Sequence, residues 1–521
     1  MKFFFNNIIN NTLVIKIIQM SYINNLNPAV LSDSYKASHY LMYPDAEEMI
    51  VYGGYRKPYE GMDDNRFVFY GIDYIRENYL EKRWTKEDVV KAKHFYSTYN
   101  VAFSEHPFPE DLFNNIVDEN DGWFPVKIET LPEGSVGYVG TPVYQMVAKG
   151  KYSRLVTWLE TIMTMLWYPS NVATLSRLSK DIIMEAFDKS VDPEMFWLLN
   201  SRLHDFGFRG CASVEQSIIG GSAHGLNFGG SDTMSAAYYI QYHRNGGKPV
   251  FTSIPATEHS VMMAHRKEQD AFKHVINTFG HSLVATVMDT NDLDNACDNI
   301  IPLVANDVKT KGGLHVLRPD SGDPVLTVLK CLESAEKAYG STVNKKGFRV
   351  LNNSAVIQGD GINQHTIRAI LKATIEAGFS AQNVAFGMGA GLLQKHNRDT
   401  MSFASKLSYI KYADGSEKDV MKAPKTDSSK CSLPGKIDVC YDSDGILKTY
   451  PEDVARKLGL KSAFVTVYDN GPVKGTSELF DTLIERVNTE WKKTPNGGLA
   501  YSQEMQDKIN ATLAKLREPC L

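Results

Sequence analysis

The chain has 521 residues, of which 43% are hydrophobic and 22% charged, a composition typical of a globular protein with two to four domains, or with one large domain and additions. The formal net charge is −5 at pH 7, so the chain lacks the basic excess of domains that bind the nucleic-acid backbone. Any anion site must therefore be local, and we expect no nucleic-acid partner.

The N-terminus and the cysteines favour a cytoplasmic protein. Residues 1–19 are apolar, but asparagines interrupt them and no small-residue cleavage site precedes Met20. We therefore expect residues 1–26 to be a disordered extension, or an upstream start with Met20 as the true beginning, and not a signal peptide. The six cysteines form no CxxC pair, as in proteins with reduced thiols. No later apolar run reaches the length of a membrane span, so we expect no membrane partner.

The pattern from Asn27 to about Trp167 is mixed and predicts an α+β fold. It indicates, in order, a strand over 48–55, a helix over 67–79, antiparallel hairpins over 126–147 and a helix over 154–167. We interpret the apolar stripe of the last helix as core packing.

The C-terminal part is also mixed. Strands are predicted over 406–412 and 436–441, with a lysine-rich segment over 418–430 between them, and helices over 478–490 and 503–516. We expect this tail to pack on the N-terminal part. Residues 27–190 and 400–521 would then form one discontinuous α+β domain.

Between these parts, short apolar runs that end in Gly, Asp or Ser alternate with helical periodicity. Six or so strand-then-helix units in series predict an α/β fold, with a parallel sheet closed or nearly closed into a β/α barrel over residues 191–399. In such barrels the C-terminal ends of the strands face one mouth. The residues predicted to converge there are Asp232, His259, Asp289, Asp320, Asp360 and the glycine loop 387–391.

The stretch Leu203–Gly210, which reads Leu-His-Asp-Phe-Gly-Phe-Arg-Gly, has an unusual composition for a strand. Two aromatic rings are interleaved with charges and with glycines that allow close backbone approach. We interpret Phe206 as a face for a flat ring and Arg209 as a partner for an anion. The alternative is a buried aromatic pair in which Asp205 satisfies Arg209.

Other residues at the mouth also have two interpretations. Asp289, Asp320 and Asp360 suit a cation such as Mg²⁺ or a sugar hydroxyl, although each could also belong to an ordinary turn. The loop 387–391 has GxGxG spacing, not the GxGxxG of a dinucleotide site, and with Lys395 and Arg398 behind it suits phosphate better. His259 lacks metal-ligand spacing; it is either a structural histidine or a nucleophile or proton carrier.

Several motifs together resemble the nicotinamide phosphoribosyltransferase family. They are Asp33-Ser34-Tyr35-Lys36, Leu203–Gly210, Gly230-Ser231-Asp232-Thr233, Glu258-His259-Ser260, Arg318-Pro319-Asp320-Ser321-Gly322, Val356–Gly361 and Gly391-Leu392-Leu393-Gln394-Lys395, and they follow in order from about Asn27 to near the C-terminus. The resemblance implies the type II phosphoribosyltransferase architecture. It also implies transfer of phosphoribose from phosphoribosyl pyrophosphate to nicotinamide in NAD salvage, with Mg²⁺ as cofactor, in a homodimer with shared active sites.

The resemblance also implies roles for individual residues. Phe206 would stack one face of the nicotinamide ring and Tyr35 of the other subunit the second, with Arg209, Asp232 and Ser253 completing the pocket. The residues that would hold ribose and phosphates are Arg318, Gly359, Asp360, Gly389, Ala390, Arg56, Lys395 and Arg398. His259 would be phosphorylated by ATP, a coupled substrate, and the catalytic set would be His259, Asp289 and Asp320.

Four positions depart from the family pattern: Met288, Ala355, Met388 and Ala390. Met288 would reshape the tunnel beside the ring, and Ala355 would remove one positive charge that helps to handle nucleotide. Three alternatives follow: a nicotinate phosphoribosyltransferase, which Asp232 argues against; a non-catalytic ligand-binding protein; and a generic barrel phosphosugar enzyme, which gives no reason for the rings of Phe206 and Tyr35.

Overall fold

The structure, a computed structural model, describes residues 26–100, 104–426 and 430–517. The predicted extension over residues 1–26 lies outside these ranges, apart from Leu26. None of the helices in the described ranges combines the length and the apolar character needed to cross a bilayer.

Strands and helices occur along the whole described chain. The strands are β1 (Ala46–Gly54), β2 (Arg66–Val68), β3 (Lys127–Thr130), β4 (Val136–Tyr138), β5 (Pro142–Lys149), β6 (Leu203–Asp205), β7 (Gly230–Ser231), β8 (Leu283–Val287), β9 (Leu314–Arg318), β10 (Ser341–Val343), β11 (Arg349–Leu351), β12 (Ser354–Gln358), β13 (Val384–Met388), β14 (Ala404–Tyr412), β15 (Glu417–Asp419), β16 (Ile437–Tyr441), β17 (Leu447–Pro451) and β18 (Val465–Asp469). The α-helices are α1 (Lys36–Met42), α2 (Ile72–Ile75), α3 (Lys86–Thr98), α4 (Glu110–Glu119), α5 (Glu160–Thr164), α6 (Trp167–Ser190), α7 (Val214–Gly225), α8 (Met234–Tyr239), α9 (His259–Met263), α10 (Glu268–Phe279), α11 (Leu293–Asn295), α12 (Ile301–Lys311), α13 (Pro324–Tyr339), α14 (Gln364–Glu376), α15 (Ala390–Leu393), α16 (Glu452–Lys457), α17 (Phe480–Lys493) and α18 (Gln503–Arg517).

One six-stranded sheet joins the two ends of the chain. Its order is β15-β14-β1-β5-β3-β18, and all neighbouring strands are antiparallel. The buried Met49 of β1 lies opposite Ala148 of β5 on one side and Ile410 of β14 on the other. Because three of the six strands come from the C-terminal part, the predicted discontinuous α+β domain is confirmed; its exact boundaries stay a prediction.

A cluster around Trp491 fixes the C-terminal helix α17 to the N-terminal part. The guanidinium carbon of Arg66 lies 3.8 Å from the centre of the Trp491 ring, and the indole N–H donates to Asp181 Oδ2 at 2.8 Å. Arg177, which like Asp181 belongs to α6, pairs with Asp181 Oδ1 at 2.6 Å. One indole therefore joins β2, α6 and α17, with cation–π contacts that stabilise by about 0.5–2 kcal/mol each.

The second six-stranded sheet is parallel and forms the predicted barrel. Its order is β7-β6-β13-β12-β9-β8, and the segment 252–256 connects its two edges. Thr252 bridges to Gly230 of β7, and Ala256 bridges to Ala285 of β8, both in parallel. Small and branched side chains from four strands fill part of the interior: Ala285, Val316, Ile357 and Ala385. The expectation of a closed or nearly closed barrel is confirmed.

Two predicted helices differ from the structure. In the predicted helix over 67–79, Phe67 instead belongs to β2, which pairs with β4, and a helix begins only at Ile72 because Gly71 adopts φ 109°. In the predicted helix over 154–167, a 3₁₀ turn over Gly150–Leu155 and the short α5 replace a continuous helix. The apolar stripe is buried as expected, since a series of tight turns can bury nearly the same residues as a helix.

Candidate active site

The predicted site residues lie at the C-terminal ends of the parallel strands. Phe206 follows β6, Asp232 follows β7, Asp289 follows β8, Asp320 follows β9, Gly359 and Asp360 follow β12, and Gly389 follows β13. Because the C-terminal ends of parallel strands meet at one mouth, the topology brings these residues together although they are far apart in the sequence.

The ring of Phe206 lies against two glycines of neighbouring strands. A Cβ atom on Gly387 would lie 2.0 Å from Phe206 Cε2, and one on Gly359 would lie 3.4 Å from the same atom and 3.2 Å from Asp320 Oδ1. Residue 387 therefore has to be glycine, because any side chain there would overlap the Phe206 ring. Phe206 borders a cavity of about 500 Å³ that extends into the barrel and is also lined by Asp232, Ser253, Arg318 and Ala355.

Asp232 offers a carboxylate to this cavity. Ser253 Oγ donates to Asp232 Oδ1 at 2.5 Å, and the Asp232 N–H donates to the carbonyl of Asp205 at 2.9 Å. Both side chains are exposed. The carboxylate is thus oriented by one hydroxyl and keeps acceptor capacity for a ligand N–H.

His259 begins helix α9 and faces a pair of aspartates. Its Nε2 lies 3.6 Å from Asp289 Oδ1, while Asp289 Oδ2 accepts the Asp320 N–H at 3.1 Å and a short hydrogen bond from the Ser321 hydroxyl. Burial raises the pKa of Asp320, and the neighbouring Arg318 opposes that rise. The His259 side chain is 42% exposed, so it is not a histidine enclosed in the core.

The alternative interpretation of Leu203–Gly210, a buried aromatic pair in which Asp205 satisfies Arg209, is wrong. Phe208 is 39% exposed and Arg209 is exposed, so there is no buried aromatic pair. The Asp205 carboxylate accepts the backbone N–H of Gly207 at 2.7 Å and does not pair with Arg209. The loop therefore exposes Arg209, while the half-buried Phe206 borders the cavity.

The glycine loop lies beside Phe206. Gly389 precedes helix α15, which begins at the exposed Ala390, and a Cβ on Gly389 would lie 3.4 Å from the Phe206 carbonyl oxygen. Gln394 Nε2 donates to the Gly207 carbonyl at 2.8 Å, which ties this loop to the aromatic stretch. Lys395 is exposed beyond the helix.

A second group of predicted residues lies around the antiparallel sheet and not at the barrel mouth. Arg56 donates to the Ser402 carbonyl at 2.8 Å. Burial lowers the pKa of Lys406, and the nearby cations Arg56, Lys422 and Arg398 lower it further. Lys406 and Lys422 were not predicted as site residues; the lysine-rich segment 418–430 was a signal for Lys422, whereas Lys406 lies in the predicted strand 406–412.

Tyr35 belongs to this second group. It is 53% exposed, and Glu160 influences both Tyr35 and Lys406 electrostatically. In the described part of the chain the Tyr35 ring contacts His39, at 5.0 Å between ring centres, and not Phe206. The predicted site residues thus form two groups within one chain.

The departures from the family pattern are placed as follows. Met288 is completely buried, with its sulfur 3.8 Å from the Thr286 hydroxyl, and is not among the residues that line the cavity; its effect on the tunnel stays a prediction. Ala355 does line the cavity. Met388 is buried.

The residues at the mouth fit a magnesium ion shared with a phosphate ligand. In residues 26–100, 104–426 and 430–517, no cluster of three or more His, Cys, Asp or Glu side chains could hold a metal by itself. Mg²⁺ commonly uses one or two carboxylates together with substrate phosphates. Burial, and to a lesser degree the charges of Asp289 and Asp360, raise the pKa of Asp320, and Asp289 Oδ1 is buried without a hydrogen bond to any described residue.

Sequence comparisons identify the family. Residues 201–464 match the nicotinate phosphoribosyltransferase (NAPRTase) family, and residues 27–128 match the N-terminal domain of nicotinamide phosphoribosyltransferase. The chain belongs to the nicotinate phosphoribosyltransferase family. It is therefore a phosphoribosyltransferase, and the resemblance seen in the motifs is confirmed.

Two curated relatives cover nearly the whole chain. Nicotinamide phosphoribosyltransferase of Xanthomonas campestris pv. campestris is 36% identical over 466 residues, which are 87% of this chain and 96% of the relative. The protein of the same name from Acinetobacter baylyi is 27% identical over 501 residues, or 89% of this chain and 97% of the relative.

Solved structures support the fold. The nicotinate-nucleotide pyrophosphorylase of Pyrococcus furiosus has a TM-score of 0.58 at 13% identity, over 91% of this chain and 98% of that one. Human nicotinic acid phosphoribosyltransferase has a TM-score of 0.57 at 14% identity, over 93% and 100%. The predicted type II phosphoribosyltransferase architecture is confirmed.

Proposed function

We propose that this enzyme transfers phosphoribose from phosphoribosyl pyrophosphate to nicotinamide, giving nicotinamide mononucleotide and pyrophosphate in NAD salvage. The observation that carries the proposal is the Asp232 carboxylate, exposed to the cavity beside the Phe206 ring and oriented by Ser253. The names of the two curated relatives support the same acceptor.

The acceptor pocket binds a flat ring and its amide group. Phe206 stacks on the pyridine ring, Asp232 accepts an N–H of the carboxamide, and Arg209 contacts the carboxamide or the nucleotide phosphate. A carboxylate in this position attracts an amide and repels the carboxylate of nicotinate. Selectivity between the two bases therefore depends on Asp232.

The transfer needs no proton. The pyridine nitrogen donates its lone pair to C1′ of the ribose, and the bond from C1′ to the pyrophosphate oxygen breaks with its electron pair on pyrophosphate. Asp320 and Asp360 stabilise the positive charge that develops on the ribose. Arg318 and the backbone N–H groups around Gly359, Gly389 and Ala390 bind the ribose and phosphates.

Magnesium is the proposed cofactor, held by Asp289, Asp320 or Asp360 together with the pyrophosphate. The bound ion would neutralise charge on the leaving group. Among these carboxylates, Asp289 also orients His259.

We further propose that two chains share each active site. Tyr35, Arg56 and Arg398 of a second copy, together with its Lys406 and Lys422, would complete the site: Tyr35 by covering the free face of the ring, and the basic residues by binding phosphates. Lys395 would bind phosphate from the glycine loop of the first copy. Two observations support this arrangement: the exposed Tyr35 ring contacts His39 and not Phe206 within the described chain, and Arg56, Arg398 and Lys422 gather around Lys406.

Mixing two variants tests the shared site. In a hybrid dimer of Phe206→Ala and Lys406→Met chains, one shared site carries both changes and the other is intact, so co-refolding should restore activity. If activity stays at the level of the separate variants, each site is built within one chain.

His259 is proposed to carry a phosphoryl group from ATP, so that ATP hydrolysis drives the transfer forward. Its position 3.6 Å from Asp289 supports a nucleophilic imidazole oriented by a carboxylate. His259→Ala should abolish stimulation by ATP and leave slow basal transfer. ATP stimulation that persists in this variant would exclude the phosphohistidine.

The decisive experiment is a product assay. The purified enzyme is incubated with phosphoribosyl pyrophosphate, Mg²⁺ and either nicotinamide or nicotinate, and the mononucleotides are separated. Nicotinamide mononucleotide is expected, and Asp232→Asn should narrow the preference between the bases. Nicotinate mononucleotide as the main product would refute the acceptor, and no product from either base would favour a ligand-binding protein.

A further inference from the structure

Asp205 connects the two sides of the proposed acceptor pocket. It is the last residue of β6 and is completely buried. Its backbone carbonyl accepts the N–H of Asp232 at 2.9 Å, and its carboxylate Oδ1 accepts the N–H of Gly207 at 2.7 Å. One residue therefore anchors both the loop that carries Phe206 and the turn that carries Asp232.

The second carboxylate oxygen is tightly enclosed. The Thr233 hydroxyl lies close to the Asp205 carboxylate, and within the described ranges neither Oδ2 nor this hydroxyl has a hydrogen bond of ordinary geometry. From the other side, helix α7 approaches so closely that a Cβ on Gly221 would lie 3.0 Å from Oδ2. The carboxyl group is thus held between β6, the turn at 232–233 and α7, so its position is fixed by packing as well as by hydrogen bonds.

This buried acid lacks a cationic partner among the described residues. The titratable groups that face it are Asp232, Tyr168 and Cys211. Burial raises the pKa of Asp205 to about 6, and the charge of Asp232 adds to the rise. A buried carboxylate kept at such a cost to stability indicates a role that an apolar residue could not fill.

We propose that Asp205 is a positioning residue that sets the distance between Phe206 and Asp232, and so the fit of the acceptor base. This inference rests on the proposed function, in which these two side chains bind the ring and its amide. Asp205 itself does not line the cavity, so its effect passes through the two loops. The phosphate-binding residues that follow β9 and β12 are held by other contacts, so their positions should not depend on Asp205.

The test compares three variants by steady-state kinetics. In Asp205→Ala the Gly207 N–H loses its acceptor, so the KM for nicotinamide should rise roughly tenfold, the loss expected for one buried hydrogen bond. The KM for phosphoribosyl pyrophosphate should stay within about twofold, because β9 and β12 are unchanged. Asp205→Asn keeps an oxygen at the Oδ1 position and should restore the wild-type KM for nicotinamide. Should Asp205→Ala not fold, Asp205→Val carries the same expectation, since its larger side chain fills more of the space and still offers no acceptor to the Gly207 N–H.

Asp438→Ala is the matched control. Asp438 is a carboxylate whose pKa burial also raises, but it lies in β16 and accepts from Ser462 at 2.6 Å, away from the mouth. This variant should lower the unfolding midpoint and leave the KM for nicotinamide unchanged. Equal rises in both KM values for Asp205→Ala, or an Asp205→Asn enzyme as impaired as Asp205→Ala, would overturn the positioning role.

The wild-type enzyme is assayed first with both bases, so that the two proposals fail separately. If nicotinate is the acceptor, the proposed function is wrong, and the same comparison of KM values is made with nicotinate. A selective rise in the KM for the base would then still support positioning by Asp205.

Discussion

Replacing Gly387 by alanine should displace the ring of Phe206. The added Cβ would lie 2.0 and 2.1 Å from two ring carbons, far inside van der Waals contact, whereas the backbone of β13 is fixed by parallel pairing on both sides. The half-buried ring borders the cavity, so it is the part that can move. We expect it to rotate into the space where the acceptor base would lie.

The size of the effect follows from the lost stacking. An aromatic side chain stacked on a flat base contributes about 1–3 kcal/mol, so the KM for nicotinamide should rise roughly 5- to 150-fold. Initial rates are measured against nicotinamide at saturating phosphoribosyl pyrophosphate, and thermal unfolding shows whether the fold is retained.

Gly389→Ala is the comparison variant. Its added Cβ would lie 3.4 Å from the Phe206 carbonyl oxygen, an ordinary contact, so the ring should stay in place. Any effect should appear in the KM for phosphoribosyl pyrophosphate. An unchanged KM for nicotinamide in a folded Gly387→Ala enzyme would refute the role of Phe206.

Two further predictions concern charge. Lys406→Met should raise the KM for phosphoribosyl pyrophosphate roughly tenfold or more, the loss expected for a charge-assisted hydrogen bond, with the KM for nicotinamide within about twofold; the opposite pattern in initial-rate kinetics would place Lys406 near the base. Burial lowers the pKa of His224 and His315 to about 3 and of His396 to about 4. The unfolded chain therefore binds more protons than the folded chain as the pH falls below 6.5, and the folded state loses stability on acidification. The raised pKa values of Asp73 and Asp205, both about 6, act in the opposite direction, and we expect a net loss of about 2 kcal/mol between about pH 7.5 and 5.5. Calorimetry at the two pH values checks this, and a higher unfolding midpoint at the lower pH would contradict it.

The barrel could be predicted from the sequence because a local residue pattern marks where each of these strands ends. Short apolar runs followed by Gly or Asp mark the C-terminal ends of β8, β9, β12 and β13, and parallel pairing then fixes which residues meet. The run Ser253-Ile254-Pro255, which precedes Thr257-Glu258-His259, belongs to the same predicted series. In the structure the segment 252–256 contributes two isolated bridges instead of a regular strand.

The long helix α6 was not predicted, and its buried residues are both polar and apolar. Ser170 and Thr174 are completely buried: Ser170 Oγ accepts the N–H of Tyr70, and Thr174 Oγ1 accepts the N–H of Val68, both at 3.0 Å. These hydroxyl groups satisfy the backbone of β2 and the loop that follows it, where an apolar face would leave donors unpaired. The first turns of α6 thus pack on backbone through hydroxyl groups, whereas Leu178, Ile182 and Phe187 bury an apolar face farther along the helix.

Lys406 and Lys422 of the basic group were missed for a different reason, whereas Arg56 and Arg398 were predicted. Arg56, Lys406 and Lys422 come from three separate segments, and burial with mutual repulsion reveals their proximity only in the folded chain. The aromatic stretch and the mouth carboxylates, in contrast, carry local motifs. The part of the proposed site at the barrel mouth could therefore be predicted from local motifs, whereas Lys406 and Lys422 appear in the sequence only as separate charged residues.

The element that closes the barrel also carries part of the proposed selectivity. Ser253 lies between the bridges at Thr252 and Ala256, and its hydroxyl orients the Asp232 carboxylate. Since each end of this segment is held by one bridge, its position depends on β7 and β8 at once. A change that loosens either bridge should shift Ser253 and weaken the discrimination between an amide and a carboxylate, even though it leaves Asp232 and Phe206 intact. Closure of the barrel and recognition of the acceptor are in this sense one structural property.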